Sequence, residues 1–259
     1  MKSFSTLSSD ERLRYERQLI LPEIGEDGQK KLRDAKVFIA GLGGLGSVSA
    51  YYMAAAGIGH LRIADRDHVA LGNLNRQILH QTGDMGRPKA ESAMETLQAV
   101  NHHCQIQGIQ EDIRDNNIMD ILGDCTIILD ATDNAETRRV LNQASVSRNI
   151  PFVYGGISGF NGMVSTFVPG QTPCFECLFP RKANGKTSES PIPALGPVAG
   201  LVASVQSLEV IKLILGMEGL LKGELLHIRG ADMRFRKISI SKNPECKCCH
   251  ANKGGHDNE

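Results

Sequence analysis

The sequence predicts an α/β fold: a mainly parallel sheet with helices on both faces, followed by a C-terminal portion with antiparallel strands. Three observations predict it. Val37-Phe38-Ile39-Ala40 is an apolar run that stops at the glycine-rich turn Gly41-Leu42-Gly43-Gly44-Leu45-Gly46, and an alanine-rich helical stretch follows. Short apolar runs alternate with helical patterns across residues 36–131, the arrangement that yields parallel strands between two helical layers. Beyond residue 220, two short runs stand close together with no helix between them, as in an antiparallel pair.

Ser8-x-x-Glu11 is a candidate capping box, opening an amphipathic helix to about Leu19. Residues 28–35 form a short polar helix. Strands are expected at 36–40, 60–65, 104–110 and 125–131, with helices at 44–57, 88–100 and 115–122 between them. The 134–149 stretch is helical, with Val140, Leu141, Ala144 and Val146 facing the core. Pro151-Phe152-Val153-Tyr154 starts another strand, and 155–168 reads as a bent strand or hairpin. Residues 180–197, rich in Pro, Ser, Lys and Gly, read as a long mobile loop. A helix at 196–216 and strands at 224–229 and 234–240 follow, and 251–259 reads as a disordered tail.

The 259 residues suit one large α/β domain, or a domain with a small appendage. Lys plus Arg number 29 and Asp plus Glu number 29, so no general attraction to nucleic acid or membrane follows. The segment Met1–Thr6 lacks the apolar core of a signal peptide. The longest apolar stretch, near 195–217, is interrupted by Glu209 and Lys212 and is expected not to span a bilayer. Seven cysteines, an odd number without a secretion signal, argue against a disulfide framework and for a cytoplasmic protein.

Gly41, Gly43, Gly44 and Gly46 let the backbone turn tightly and approach phosphate oxygens, while the following helix offers free N–H groups. The glycine pattern alone is a weak signal, but Asp65, nineteen residues after Gly46 at the end of the run His60–Ala64, can accept hydrogen bonds from a ribose. Together they point to a Rossmann-like nucleotide crevice. The polar cluster after Asp65, with Asp67, Asn73, Arg76 and Gln77, exceeds what a dinucleotide needs and suits a triphosphate. Arg76 can fork onto phosphate oxygens and Lys89 adds a point charge. Thr126-Ile127-Ile128-Leu129-Asp130-Ala131-Thr132-Asp133-Asn134 is an apolar strand ending in acids. Asp133 is expected at its carboxyl end, where open sheets bind ligands and a carboxylate can hold magnesium.

Cys174-Phe175-Glu176-Cys177 and Cys246-Lys247-Cys248-Cys249 each contain a CxxC pair. Cys174, Cys177, Cys246 and Cys249 offer four thiolates, the ligand set of a closed structural zinc site. Reduced surface cysteines or a redox pair are the bland alternatives. Cys248 competes with Cys249 for the fourth position, but only Cys249 keeps the two-residue gap. Cys104 and Cys125 begin apolar strands and read as buried, inert thiols.

Arg14-Tyr15-x-Arg17-Gln18, GLGGLG at 41–46, DRDHVALGNLNRQ at 65–77, Gly86-x-Pro88-Lys89 and Ala131-Thr132-Asp133-Asn134 occur in one order. In this the chain resembles the ThiF/MoeB/HesA adenylyltransferases, bacterial relatives of ubiquitin-activating enzymes, over about residues 8–250. The resemblance implies a single domain over 1–250, with nucleotide binding in 8–155 and carrier and zinc binding in 156–250. It implies that ATP and magnesium are used to adenylylate the C-terminal glycine of a ubiquitin-like sulfur carrier ending in Gly-Gly. The pathway would be molybdopterin, thiamine or related sulfur biosynthesis. It further implies a homodimer in which Arg14 reaches the phosphates of the neighbouring subunit. Arg14, Arg76, Lys89 and Asp133 then form the catalytic set. Asp65 holds ribose, Asn73 and Gln77 orient phosphates, and Asp67 and Asn134 complete the nucleotide site.

Two departures stand out. Some relatives carry a cysteine nucleophile in the mobile loop, and here none lies between Cys177 and Cys246. Gly72 stands where relatives often have serine. Two other readings remain: a nicotinamide oxidoreductase, supported only by the glycine turn and Asp65, and a non-catalytic carrier-binding scaffold. The scaffold would need damaged phosphate residues, whereas Arg76, Lys89 and Asp133 are all present.

Overall fold

The computed structural model describes residues 6–181 and 192–250. Most of the expected loop at 180–197 and the whole tail at 251–259 therefore lie outside the described residues. In chain order come α1 (Ser9–Arg14), α2 (Glu16–Leu19), α3 (Gly25–Asp34), β1 (Lys36–Ala40), α4 (Gly44–Ala56), β2 (His60–Ala64), α5 (Lys89–Val100), β3 (Gln105–Ile109) and α6 (Ile118–Leu122). There follow β4 (Ile127–Asp130), α7 (Ala135–Arg148), β5 (Phe152–Ser158), β6 (Asn161–Phe167), α8 (Phe175–Leu178), α9 (Gly196–Leu215), β7 (Glu224–Arg229) and β8 (Arg234–Ser239).

One sheet of eight strands runs β3-β2-β1-β4-β5-β6-β7-β8. The first five strands are parallel. The last three pairings are antiparallel. The mixed sheet agrees with the expected fold class. The chain winds outward from β1 to β3 and then returns to β4, so the strand order reverses between β1 and β4, whose ends pair Ala40 with Asp130. A crevice opens outside the carboxyl ends of strands at such a point.

Alternate residues of each central strand enter opposite cores. Val37, Ile39, Leu61, Ile63 and Leu129 pack beneath α4, α5 and α9, whereas Phe38, Ala40, Ile128 and Phe152 pack beneath α6 and α7. A strand covered on both faces must be apolar at every position, which is why β1 and β4 read as continuous apolar runs.

Three expectations need correction. The N-terminal helix is broken at Tyr15 (φ −100°, ψ 13°). The break turns this buried side chain inward, where its hydroxyl accepts a hydrogen bond from Asn101 Nδ2 at 2.8 Å. The capping box of Ser8 and Glu11 is present. In α7, Leu141 and Ala144 are buried as expected, but Val140 and Val146 are only half-buried and Asn142 and Ser145 take the inner positions. Both polar groups are hydrogen-bonded there, Ser145 Oγ donating to the Ile150 carbonyl at 2.6 Å. Finally, α9 is long and apolar enough to cross a membrane, with a mean hydropathy of 1.8, so Glu209 and Lys212 do not disqualify it by composition. Its packing places it otherwise: Val198, Val202, Ala203 and Val210 are buried against α4 and the sheet. The Glu209 carboxylate is buried too, accepting from the Leu221 N–H at 2.8 Å and pairing with Lys212.

The glycine turn is fixed by close approach. Gly41 has φ +90°, and a Cβ there would stand 2.7 Å from the Ala131 carbonyl oxygen. A Cβ on Gly46 would stand 1.9 Å from the Gly41 carbonyl oxygen, so α4 can cross the turn only on a glycine. Gly46→Ala is therefore expected to cost about 3 kcal/mol, the upper end of ordinary overpacking. Gly72, whose Cβ would meet nothing within 4 Å, should tolerate alanine with no loss, or with a gain below about 1 kcal/mol. Urea denaturation of the two variants checks the contrast; equal midpoints would refute it.

Candidate active site

The crevice between the ends of β1 and β4 measures about 500 Å³. Gly41, Gly43, Gly44 and Leu45 line it, while Gly46 lies beneath the turn as a packing residue. No side chain caps α4. Its first N–H groups and positive dipole end are thus left for an anion.

Asp65 holds the turn in place. Its Oδ2 accepts the Leu42 N–H at 2.7 Å and its Oδ1 accepts the Asp67 N–H at 2.8 Å. His80 supports the turn from the other side, with Nε2 3.3 Å from the Leu42 carbonyl and Nδ1 2.9 Å from Ser92 Oγ. Burial pushes the imidazole below its ordinary value, so the ring is neutral at pH 7. A carbonyl can only accept, so Nε2 carries the proton and Nδ1 accepts from the serine.

The basic wall comes from the start of α5 and the loop before it. Lys89 opens α5 with its side chain only 5 % exposed and its ammonium 3.3 Å from Asp67 Oδ2. Arg76 donates from Nη1 to the Gly72 carbonyl at 3.0 Å and to Asn75 Oδ1 at 2.9 Å. Gln77 is buried beside it. Asp65, Asp67, Arg76, Gln77 and Lys89 all line the crevice. So do Asp133 and Asn134, although β4 ends one residue earlier than expected, at Asp130. Asn134 also caps α7, accepting the Thr137 N–H at 2.8 Å.

Besides Gly46, two expected residues lie outside the lining. The Asn73 carbonyl accepts the N–H groups of Arg76 and Gln77 at 3.1 and 3.0 Å, closing the turn that carries them. Exposed Arg14 donates from Nη1 to the Val100 carbonyl at 3.0 Å, at the far end of α5 from Lys89.

Sequence reasoning missed Arg138. Its Nε donates to the wholly buried Asp130 at 3.0 Å, and its Nη2 donates to the carbonyls of Thr132 at 2.6 Å and Gly155 at 3.1 Å. Its guanidinium lies 5.2 Å from the centre of the Tyr154 ring. Burial pushes the Asp130 carboxyl up, against the pull of Arg138 and Thr132. A signal was available: an arginine near a helix N-terminus opposes the helix dipole and needs a compensating anion.

The donor set fits a nucleoside triphosphate. An uncapped helix end, a buried ammonium, a guanidinium and a ribose-type acid face one space, with an exposed carboxylate at its rim suited to a hydrated magnesium ion.

The four expected zinc ligands come together. Cys174 Sγ lies 3.9 Å from Cys177 and 3.6 Å from Cys246, and Cys177 lies 3.5 Å from Cys249. All four sulfurs fall within 4.8 Å of one another. Sulfurs around a tetrahedral zinc stand about 3.8 Å apart, given Zn–S bonds of about 2.3 Å, so the set fits zinc. Cys248 is the spare: its Sγ accepts from Asn142 Nδ2 at 3.1 Å, while Asn142 Oδ1 accepts the Phe175 N–H. Cys104 and Cys125 are buried, and burial pushes their thiols up to about 11 and about 12.

The model of the ThiF family matches residues 15–248. Adenylyltransferase and sulfurtransferase MOCS3 of Drosophila sechellia is 42% identical over 248 residues, covering 95% of this chain and 55% of that protein. The MOCS3 protein of Culex quinquefasciatus is 39% identical over 249 residues, covering 95% of this chain and 57% of that protein. The chain thus spans about half the length of these curated relatives. Among solved structures, E. coli MccB with ATP superposes with a TM-score of 0.81 at 25% identity, covering 91% of this chain and 74% of that one.

Metal analysis of the purified protein is expected to find one zinc per chain. Cys174→Ser should lose it and lower the melting temperature by at least about 5 °C, equivalent to roughly 1–2 kcal/mol at this size. Cys248→Ser should keep the metal. Full zinc content in the Cys174 variant would overturn the ligand set.

Proposed function

This chain belongs to the ThiF family, and from that premise we propose that it is an ATP- and magnesium-dependent adenylyltransferase. Its substrate would be the C-terminal glycine of a ubiquitin-like sulfur carrier ending in Gly-Gly, in molybdopterin, thiamine or related sulfur biosynthesis in the cytoplasm. The observation that carries the reading is the convergence of Asp65, Arg76, Lys89, Asp133 and the uncapped end of α4 on one crevice. A nicotinamide oxidoreductase would leave Lys89, Arg76 and Asp133 without a task. The name of the MOCS3 relatives supports adenylylation of this kind.

The chemistry follows from charge. The carrier carboxylate is an anion at neutral pH and needs no base. Its oxygen attacks the α-phosphorus, the bond to the bridging oxygen breaks, and pyrophosphate leaves with the electron pair, giving an acyl adenylate. The barrier is repulsion between two anions and the charge gathering on the leaving group. Lys89 and Arg76 neutralise that charge, and the end of α4 holds the phosphates in line. Asp65 orients the ribose. Asp133 would hold the magnesium ion, which would supply positive charge beside the phosphates. Arg14 would serve the crevice of a second copy in a homodimer, since it lies outside the lining of its own. The reaction stops at the acyl adenylate, because no cysteine lies between Cys177 and Cys246 to form a thioester.

Asp133→Ala is expected to slow ATP–pyrophosphate exchange, measured with carrier and magnesium, by at least about 100-fold, the loss typical of removing one transition-state contact. Exchange near the wild-type rate in a folded variant would refute the role. Mixing Arg14→Ala with Asp133→Ala protein should restore part of the exchange, since one site of each mixed dimer keeps both groups. No recovery despite demonstrated subunit exchange would exclude action in trans.

A further inference from the structure

Three ligand-type side chains from two separate segments converge away from both the crevice and the cysteine set. Asp10 belongs to α1, while His102 and His103 belong to the turn after α5. Asp10 Oδ2 lies 2.7 Å from His103 Nε2 and 3.6 Å from His102 Nε2. The donor atoms of all three fall within 4.8 Å of one another. We propose that Asp10, His102 and His103 form a surface site for a divalent late transition metal of the zinc, cobalt or nickel class, joining α1 to the turn after α5.

The donor chemistry selects the class. Two imidazoles and a carboxylate suit these ions rather than calcium or magnesium, which prefer all-oxygen shells. Ligands around a tetrahedral ion with bonds of about 2.0–2.1 Å stand about 3.3 Å apart. The observed spacings of 2.7 and 3.6 Å lie on either side of that value.

The site stands on ordered supports. The His103 N–H donates to Asn101 Oδ1 at 3.2 Å. Asn101 is wholly buried, its Nδ2 donating to the Tyr15 hydroxyl at 2.8 Å and the Ala54 carbonyl at 2.7 Å. Asp10 is carried by the capped first turn of α1. The ligands are thus largely positioned before a metal arrives, which limits the ordering cost. Asp10 and His102 are 58 % and 67 % exposed and His103 is 25 % exposed. Water can fill the remaining positions, so the metal exchanges freely, unlike one in a closed four-cysteine site. Arg14, one helical turn beyond Asp10, brings a positive charge that weakens cation binding here and further favours modest affinity.

The test titrates cobalt into the full chain already loaded with zinc at its cysteines. One further cobalt per chain is expected, with absorption bands of nitrogen and oxygen ligation and none of thiolate charge transfer. His103→Ala and Asp10→Asn should each weaken that equivalent by at least about tenfold, the least that even outer-shell changes produce at metal sites. His227→Ala, on β7, should not. In wild-type protein, proton NMR should show paramagnetic broadening of the His102 and His103 imidazole signals before those of any other histidine. No further equivalent at millimolar cobalt, unaltered binding in the Asp10 and His103 variants, or first broadening at a different histidine would overturn the site.

Discussion

Asp130 and Arg138 form a buried ion pair at the point where β4 runs out, and much of the crevice is built on it. The carboxylate is fully enclosed, and it is satisfied by Arg138 at 3.0 Å together with the N–H and hydroxyl of Thr132. The same guanidinium ties the Thr132 carbonyl to the Gly155 carbonyl of β5. One side chain therefore fixes the loop that carries Asp133 and joins two strands on the crevice wall. Removing one member of such a buried pair costs about 3–5 kcal/mol, because the other charge is left in a dry interior.

The opposite wall follows the same logic with smaller groups. The Leu42 N–H reaches Asp65 and the Leu42 carbonyl reaches His80, so the glycine turn is held by hydrogen bonds on both sides. That leaves the first N–H groups of α4 with no side-chain cap. A turn held this firmly keeps its unpaired donors pointing in one direction, and preorganised donors bind and stabilise an anion with little rearrangement.

The crevice and the cysteine set belong to one packed body. The Tyr154 ring lies 5.2 Å from the Arg138 guanidinium and 5.5 Å from the Phe175 ring. Phe175 directly follows Cys174, and its N–H is held by Asn142. The knuckle thus closes the segment that carries Cys246 and Cys249 over the same core that backs the ion pair.

The sequence by itself determined the strand–helix alternation, the parallel half of the sheet, the glycine turn with Asp65, the basic residues Arg76 and Lys89, and the pairing of the two CxxC motifs. These signals are local: an apolar run, a turn or a short spacing can be read without knowing what packs against it. Tertiary structure alone decided four other matters. It placed Arg138 on Asp130, eight residues away along the chain but 3.0 Å in space. It broke the first helix at Tyr15 and turned that side chain inward, where its hydroxyl meets distant Asn101. It gave an inner position of α7 to Asn142 ahead of Val140 and Val146, because α8 supplies a partner for its amide. It also packed one face of α9, a helix apolar enough for a membrane, against α4 and the sheet. In each case the deciding partner lies on another element, and hydrophobic periodicity records how apolar a face is, not which surface meets it.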